Sequence, residues 1–227
     1  MAMIRLLAFD TSTEILSVAV RHGDQVIERT SAGGAQASST LIPLIETLLA
    51  EAGLTLRELD AIAFGRGPGS FTGLRTACSV AQGLGFGAGV PLLPIDTLLA
   101  VAEEARHQHG AQKVLAVLDA RMEQVYSAAY DFSTGAAPTS EPQLDAPEAL
   151  VLPPGFVLAG NAFDAYGDRL PAGARHAALP TAAAMLRLAP ALLTDGRTVA
   201  PADAWPLYVR DKVAQTTAER AAAKQVS

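Results

Sequence analysis

Two stretches of this chain share one plan, and their spacing constrains the fold more than any other feature. LLAFDTSTEILSVAVRHGD runs from Leu6 to Asp24, and LAVLDARMEQVYSAAYD from Leu115 to Asp131. In each, an apolar strand ends in an aspartate, a glutamate follows four residues later (Glu14, Glu123), and a second strand resumes. Asp10 and Asp119 lie 109 residues apart in a chain of 227, close to half its length. A strand-turn-strand at the head of each half predicts tandem duplication of one βββαβα unit, against the alternative of chance likeness between two hairpins.

The pattern along the first half predicts strands at Leu6 to Phe9, Leu16 to Val20 and Gln25 to Thr30, with a turn at His22 to Asp24. A helix follows, with Ser38 or Ser39 as its cap, Pro43 in or just past its first turn, and Gly53 as its stop. Asp60 to Gly65 and Val90 to Ile95 read as strands, and Leu74 to Gly87 as a helix. Asp96 reads as the cap of a third helix that stops at Gly110. The second half is less regular. Phe156 to Gly160 reads as a strand, Asn161 to Leu170 and Ala182 to Leu188 as helices, and WPLYVR near Trp205 as a last strand. Prolines 138, 142, 147, 153 and 154 mark loops, and a polar, Ala-rich tail begins at Ala214. The polar stretch Arg106 to Lys113 sets the boundary between an N-terminal subdomain, 1–109, and a C-terminal one, 110–227.

Half the residues are hydrophobic and 18% are charged, so a packed globular chain is expected. The net charge of −6 argues against a main nucleic-acid-binding surface, which needs clustered Lys and Arg. The single cysteine, Cys78, sits in an apolar helical pattern and reads as a buried structural thiol in a reducing compartment. MAMIRLLAF is too short for a signal segment, and no apolar run reaches the length of a membrane span. A cytoplasmic protein is expected.

A duplicated α/β fold with an aspartate hairpin in each half is the plan of the actin-like ATPases and sugar kinases, built on ribonuclease H-like units. There the two turns grip phosphates and Mg²⁺ from opposite sides of a cleft, which demands small residues where backbone N–H groups approach phosphate. The first turn, Asp10-Thr11-Ser12-Thr13, meets that demand. The second, beginning at Asp119, has no glycine and puts Arg121 and Met122 where a phosphate would sit, so autonomous ATP hydrolysis is not expected. The four histidines show no metal-binding spacing, and no Ser-His-Asp order is persuasive.

The loop GRGPGSFTG, Gly65 to Gly73, has four glycines in nine residues but neither a P-loop lysine nor GxGxxG spacing. Gly67, Gly69, Ser70, Thr72 and Gly73 are consistent with a tight strand-to-helix turn capped by Ser70 or Thr72, or with an anion site on free N–H groups. The helix after the loop carries two stripes of small residues, Ala77/Ala81/Gly85 and Ser79/Gly83/Gly87. An interior helix glycine costs about 1 kcal/mol against alanine, a cost usually offset by close backbone approach. On the preceding helix, Leu41, Ile42, Leu44, Ile45, Leu48, Leu49 and Ala52 cover roughly 160°, wider than the ~100° one packed face needs. Leu41, Leu44, Leu48, Ala77, Ala81 and Gly85 are therefore candidates for a partner interface, the alternative being that both arcs are satisfied within the chain.

FDTSTEILSVAV, GRGPGSFTGLRTACSVAQGLG and VLDARMEQVY, with a later Pro206-x-Tyr208-x-Arg210, closely resemble the TsaB (YeaZ) family. The likeness is strong over the first 130 residues and looser beyond. It implies a non-catalytic actin-like subunit without cofactor, acting in threonylcarbamoyladenosine synthesis in tRNA. Its implied partners are a TsaD-type catalytic subunit, bound through N-terminal helices, and a TsaE-type ATPase. It further implies a homodimer when alone, and tRNA contact only through the complex. The metal-binding histidines of the catalytic relatives align with Thr97 and Val101, neither of which ligates metal as histidine does. Where many relatives carry a His before the first helix's Leu-x-Pro, this chain has Ala37. The competing class is an enzyme in its own right, an ATP-dependent transferase or a glycoprotease-like metalloenzyme.

Overall fold

The computed structural model describes residues 3–134 and 139–209. Pro138, Arg210 and the tail from Ala214 lie outside the described residues. The first half runs β1 (Arg5–Asp10), β2 (Ile15–His22), β3 (Gln25–Ala32), α1 (Ala37–Glu51), β4 (Ala61–Gly67), α2 (Phe71–Ala88), β5 (Leu92–Asp96) and α3 (Thr97–His109). The second runs β6 (Lys113–Arg121), β7 (Gln124–Asp131), β8 (Gln143–Asp145), β9 (Val157–Gly160), α4 (Phe163–Tyr166), β10 (Arg175–Ala177) and α5 (Ala182–Thr194).

The duplication is visible in the sheets. The first has strand order β3-β2-β1-β4-β5 and the second β8-β7-β6-β9-β10. In both, the first three strands pair antiparallel and the remaining pairs are parallel. This is the duplicated actin-like, ribonuclease H-like fold. The copies differ in their helices. The second half has only a 3-10 turn, Pro147–Ala149, where the first has α1, and the single turn of α4 where the first has α2. The predicted Asn161 to Leu170 helix thus shrinks to Phe163–Tyr166 and a 3-10 turn, whereas α5 runs past its predicted end to Thr194.

Strand alternation explains the layers. Leu7, Phe9, Ile62 and Phe64 point to one face of the first sheet and pack with α1 and α2. Ala8, Ala19, Ala61 and Ala63 point to the other, where their small size admits α5 (Met185, Leu186, Ala189) beside α3 and the second sheet. A helix from the second half therefore packs on the first sheet, and α3 from the first half packs on the second. Between α3 and α5, Arg187 bonds Glu103 (3.0 Å) and Glu104 (2.6 Å), two carboxylates buried in that layer.

Several local expectations are corrected. α1 starts at Ala37 without a side-chain cap, since the Ser38 and Ser39 hydroxyls donate to Ala35 O and Gln36 O. Pro43 lies just past the first turn of α1, within the range expected for it. Asp96 holds the N-cap position of α3, but its carboxylate bonds Arg66 Nε at 2.5 Å instead. Trp205 to Val209 forms no strand; it is irregular backbone bonded to β4 from Leu207 N to Arg66 O at 2.7 Å. Gly53 and Gly110 do stop their helices, with φ of +66° and +70°.

Candidate functional site

Asp10 ends β1 and is fully buried. Its Oδ1 accepts from Ser12 N (2.8 Å) and Ser12 Oγ (2.6 Å), while Oδ2 has no hydrogen-bond partner among the described residues. Burial pushes its carboxyl up to about 6, against the pull of the Ser12 bonds. The glycine loop closes directly over this turn. Ser70 N donates to Ser12 O (2.8 Å), and Thr11 Oγ1 donates to Gly73 O (2.7 Å). A Cβ on Gly69 would lie 2.7 Å from Ser12 Cβ, and one on Gly73 only 1.9 Å from Thr11 O.

Of the two readings of the loop, the tight turn is the one this geometry carries. Gly67, at φ +119°, fits under Leu207 O, where a Cβ would approach to 2.6 Å. Neither expected cap operates: Ser70 is at the N-cap of α2 without a side-chain cap bond, and Thr72 lies inside the helix. The first turn is also not the phosphate grip its residues suggest. Thr11 and Ser12 are buried, and their hydroxyls are spent on Gly73 and Asp10.

The second turn is built differently. Arg121, Met122 and Glu123 are all left-handed, with φ of 60°, 55° and 59°. Such residues cost on the order of 1 kcal/mol or more each and persist only where neighbours over-determine them. Here Asp119 Oδ1 accepts from Arg121 N (2.7 Å) and Tyr166 Oη (2.8 Å), and Oδ2 pairs with Arg121 at 3.0 Å. Asp119 N donates to Asn161 Oδ1 at 3.0 Å. Arg169 clamps Glu123 and Glu148 together. Burial, then the Asp119 bond and charge, push the Tyr166 phenol up to about 12. Asp119, the counterpart of Asp10, is occupied by its own turn.

Between the turns lies a cleft of about 430 Å³. Thr13, Glu14, Ser70 and Phe71 line one side, and Asp119, Arg121, Met122 and Tyr126 the other. Arg121 and Met122, whose bulk the sequence sets against a phosphate, both line this cleft. Asn161 Nδ2 reaches across from the second half to Glu14 at 3.3 Å. Thr97 and Val101 are buried in the core between the sheets.

The expected interface residues are placed otherwise. Leu41, Leu48, Ala77, Ala81 and Gly85 are buried within the chain, whereas Leu44 is half-buried. Gly85 is needed internally, where a Cβ would lie 2.9 Å from both Leu92 and Pro201. The other stripe faces outward. Ser79, Gly83 and Gly87 are exposed, and a Cβ on either glycine would meet nothing within 4 Å. Beside them Phe86 is 64% exposed, and on α1 Ile42 is 42% exposed. Phe86 escaped the sequence reading because spacing shows both stripes but not which one turns outward. Cys78 is buried as expected, its Sγ 3.4 Å from Ala204 O.

That contact belongs to a strap, residues 199–209 with a 3-10 turn at Pro201–Asp203, which the sequence did not reveal. Val199 pairs with Leu92, Ala204 O accepts from Gln82 Nε2 (3.0 Å), and the Tyr208 ring packs tilted against Phe71 (5.4 Å between ring centres). Tyr208 Oη also accepts from Arg75 Nε at 3.2 Å. The strap thus covers one flank of α2 from its C-terminal end to its N-terminal end and finishes at the cleft.

The family model described as TsaD, tRNA N6-adenosine threonylcarbamoyltransferase, matches residues 33–218. The tRNA threonylcarbamoyladenosine biosynthesis protein TsaB of Escherichia coli (strain K12) is 34% identical over 223 residues, 93% of this chain and 96% of that protein. The Haemophilus influenzae TsaB is 46% identical over 132 residues, 56% of this chain and 53% of that one. YeaZ from Pseudomonas aeruginosa superposes with a TM-score of 0.85 at 37% identity, covering 91% of this chain and all of that one. With that agreement over nearly the whole length, in sequence and in fold, the chain belongs to the TsaB (YeaZ) family.

Proposed function

We propose that this chain is a non-catalytic subunit in the synthesis of threonylcarbamoyladenosine in tRNA, activating a TsaD-type transferase by binding it through the outward faces of α1 and α2. The observation that carries the reading is the pair Gly83 and Gly87. A glycine inside a helix costs about 1 kcal/mol against alanine. Neither position is crowded by any described residue, so nothing among them offsets that cost. A second helix lying across the bare backbone would offset it, with exposed Phe86 on the same helix and exposed Ile42 on α1 as apolar anchors. The relatives' names supply the pathway. The sealed first turn and the self-occupied Asp119 favour a subunit over an ATP-dependent transferase or a metalloenzyme.

In this reading a TsaE-type ATPase joins the same assembly, tRNA meets this chain only through the complex, and the work is cytoplasmic. Without its partner, the same face supports a homodimer. Co-purification from the native host, with identification of the bound protein, tests the proposal. A transferase subunit should be captured by the natural chain and lost with Gly83→Arg, which fits open space and leaves the fold intact. Capture unchanged by Gly83→Arg would refute the placement. Steady ATP turnover or stoichiometric metal in the purified chain would refute the non-catalytic reading.

A further inference from the structure

The strap delivers the chain into the cleft. Leu207, Tyr208 and Val209 all line it, and Val209 also packs against the core between the two sheets. Eighteen residues follow, RDKVAQTTAERAAAKQVS, which fully extended would span up to about 60 Å. Their first four, Arg210 to Val213, carry two cations, one acid and one apolar side chain. The cleft offers matching chemistry. Glu14 is exposed on one wall, its carboxylate held among the described residues by the long bond from Asn161, while Arg121 on the other wall is paired with Asp119. Phe71, Leu118, Met122 and Tyr126 supply apolar surface.

We propose that the cleft between the two hairpin turns is the docking site of this chain's own C-terminal segment, with Arg210 to Val213 lying against the Glu14 wall. Tethering makes weak contacts sufficient. A segment anchored at the mouth of its site has an effective concentration in the millimolar range, so no strong individual bond is required. The space that holds a phosphate ligand in active members of this fold is then filled by the protein's own chain, which bridges the two halves beside Asn161 and Glu14.

Limited trypsin digestion of the full-length chain, followed by intact mass, tests this, because Lys212, Arg220 and Lys224 are separate cleavage points along the segment. A synthetic peptide of residues 205–227 gives the unprotected rate at each. Cleavage after Lys212 should be about tenfold or more slower in the protein than in the peptide, since cleavage follows the undocked population. Arg220 and Lys224 serve as reference sites further along. Glu14→Lys, a reversal at an exposed position whose fold is checked by circular dichroism, should restore rapid cleavage after Lys212 alone. Equal rates after Lys212 in protein and peptide would overturn the docking. Protection that survives Glu14→Lys would place the segment elsewhere and overturn the site.

Discussion

Replacing Gly83 with alanine separates the two roles a helix glycine can have. Position 83 lies within α2, Phe71–Ala88, and a Cβ there meets no atom within 4 Å. If only the isolated chain matters, the added methyl removes the helix penalty and should stabilise the fold by about 1 kcal/mol. For a chain of this size that corresponds to a rise in Tm of about 2–4 °C. Urea denaturation followed by far-ultraviolet circular dichroism is the suitable assay. Trp205, the single tryptophan, is 69% exposed and reports poorly on the core. Dilute protein keeps self-association from adding its own stabilisation. The same methyl should weaken association with the transferase subunit by about 1–3 kcal/mol, because a closely packed helix pair has no room for it. Opposite signs in the two measurements are the signature of a glycine kept for a partner. A Gly83→Ala chain no more stable than the natural one would show that the position is constrained internally, and the argument for the α2 face would fail.

Two further outcomes follow from the sealed turn. Asp10 has a carboxyl raised to about 6, against about 3.9 unfolded, so between roughly pH 4 and pH 6 the folded chain keeps a proton the unfolded chain has lost. Stability should therefore fall as pH rises through that window, and Asp10→Asn should remove the fall. The variant should gain up to about 3 kcal/mol over the natural chain at pH 7.5 and nothing at pH 4, read by denaturation at each pH; a difference independent of pH would refute the assignment. Gly73→Ala should destabilise by about 3 kcal/mol or more, because its methyl would be driven into Thr11 O. A normal melting curve for Gly73→Ala would show that the loop is not held against the turn.

The elements whose signals are local were legible in the residues. Apolar runs ending at Asp10 and Asp119, the alternation of β1 and β4, and the stopping glycines at 53 and 110 depend only on nearby side chains and backbone preferences. They led to the duplicated fold, and the bulk of Arg121 and Met122 indicated a second turn unfit for phosphate. The glycine loop was legible as a turn, but not the reason for its glycines. Gly69 and Gly73 are small because Ser12 and Thr11, some sixty residues earlier, press against them.

Helix orientation was decided only by tertiary structure. Spacing on α2 displays two stripes of small residues, and nothing local says which faces the sheet. That choice depends on rotation about the helix axis, which β4 on one side and the strap on another determine. The strap comes from residues 199–209, more than a hundred positions beyond α2, so no window of sequence around the helix contains it. The same limit applies to α5, which lies on the first sheet because Ala8, Ala19, Ala61 and Ala63 leave room there. The sequence by itself determined the repeated unit and the places where its strands and helices stop, because those follow from interactions within a few residues. Which stripe of α2 turned outward was settled by contacts between distant segments.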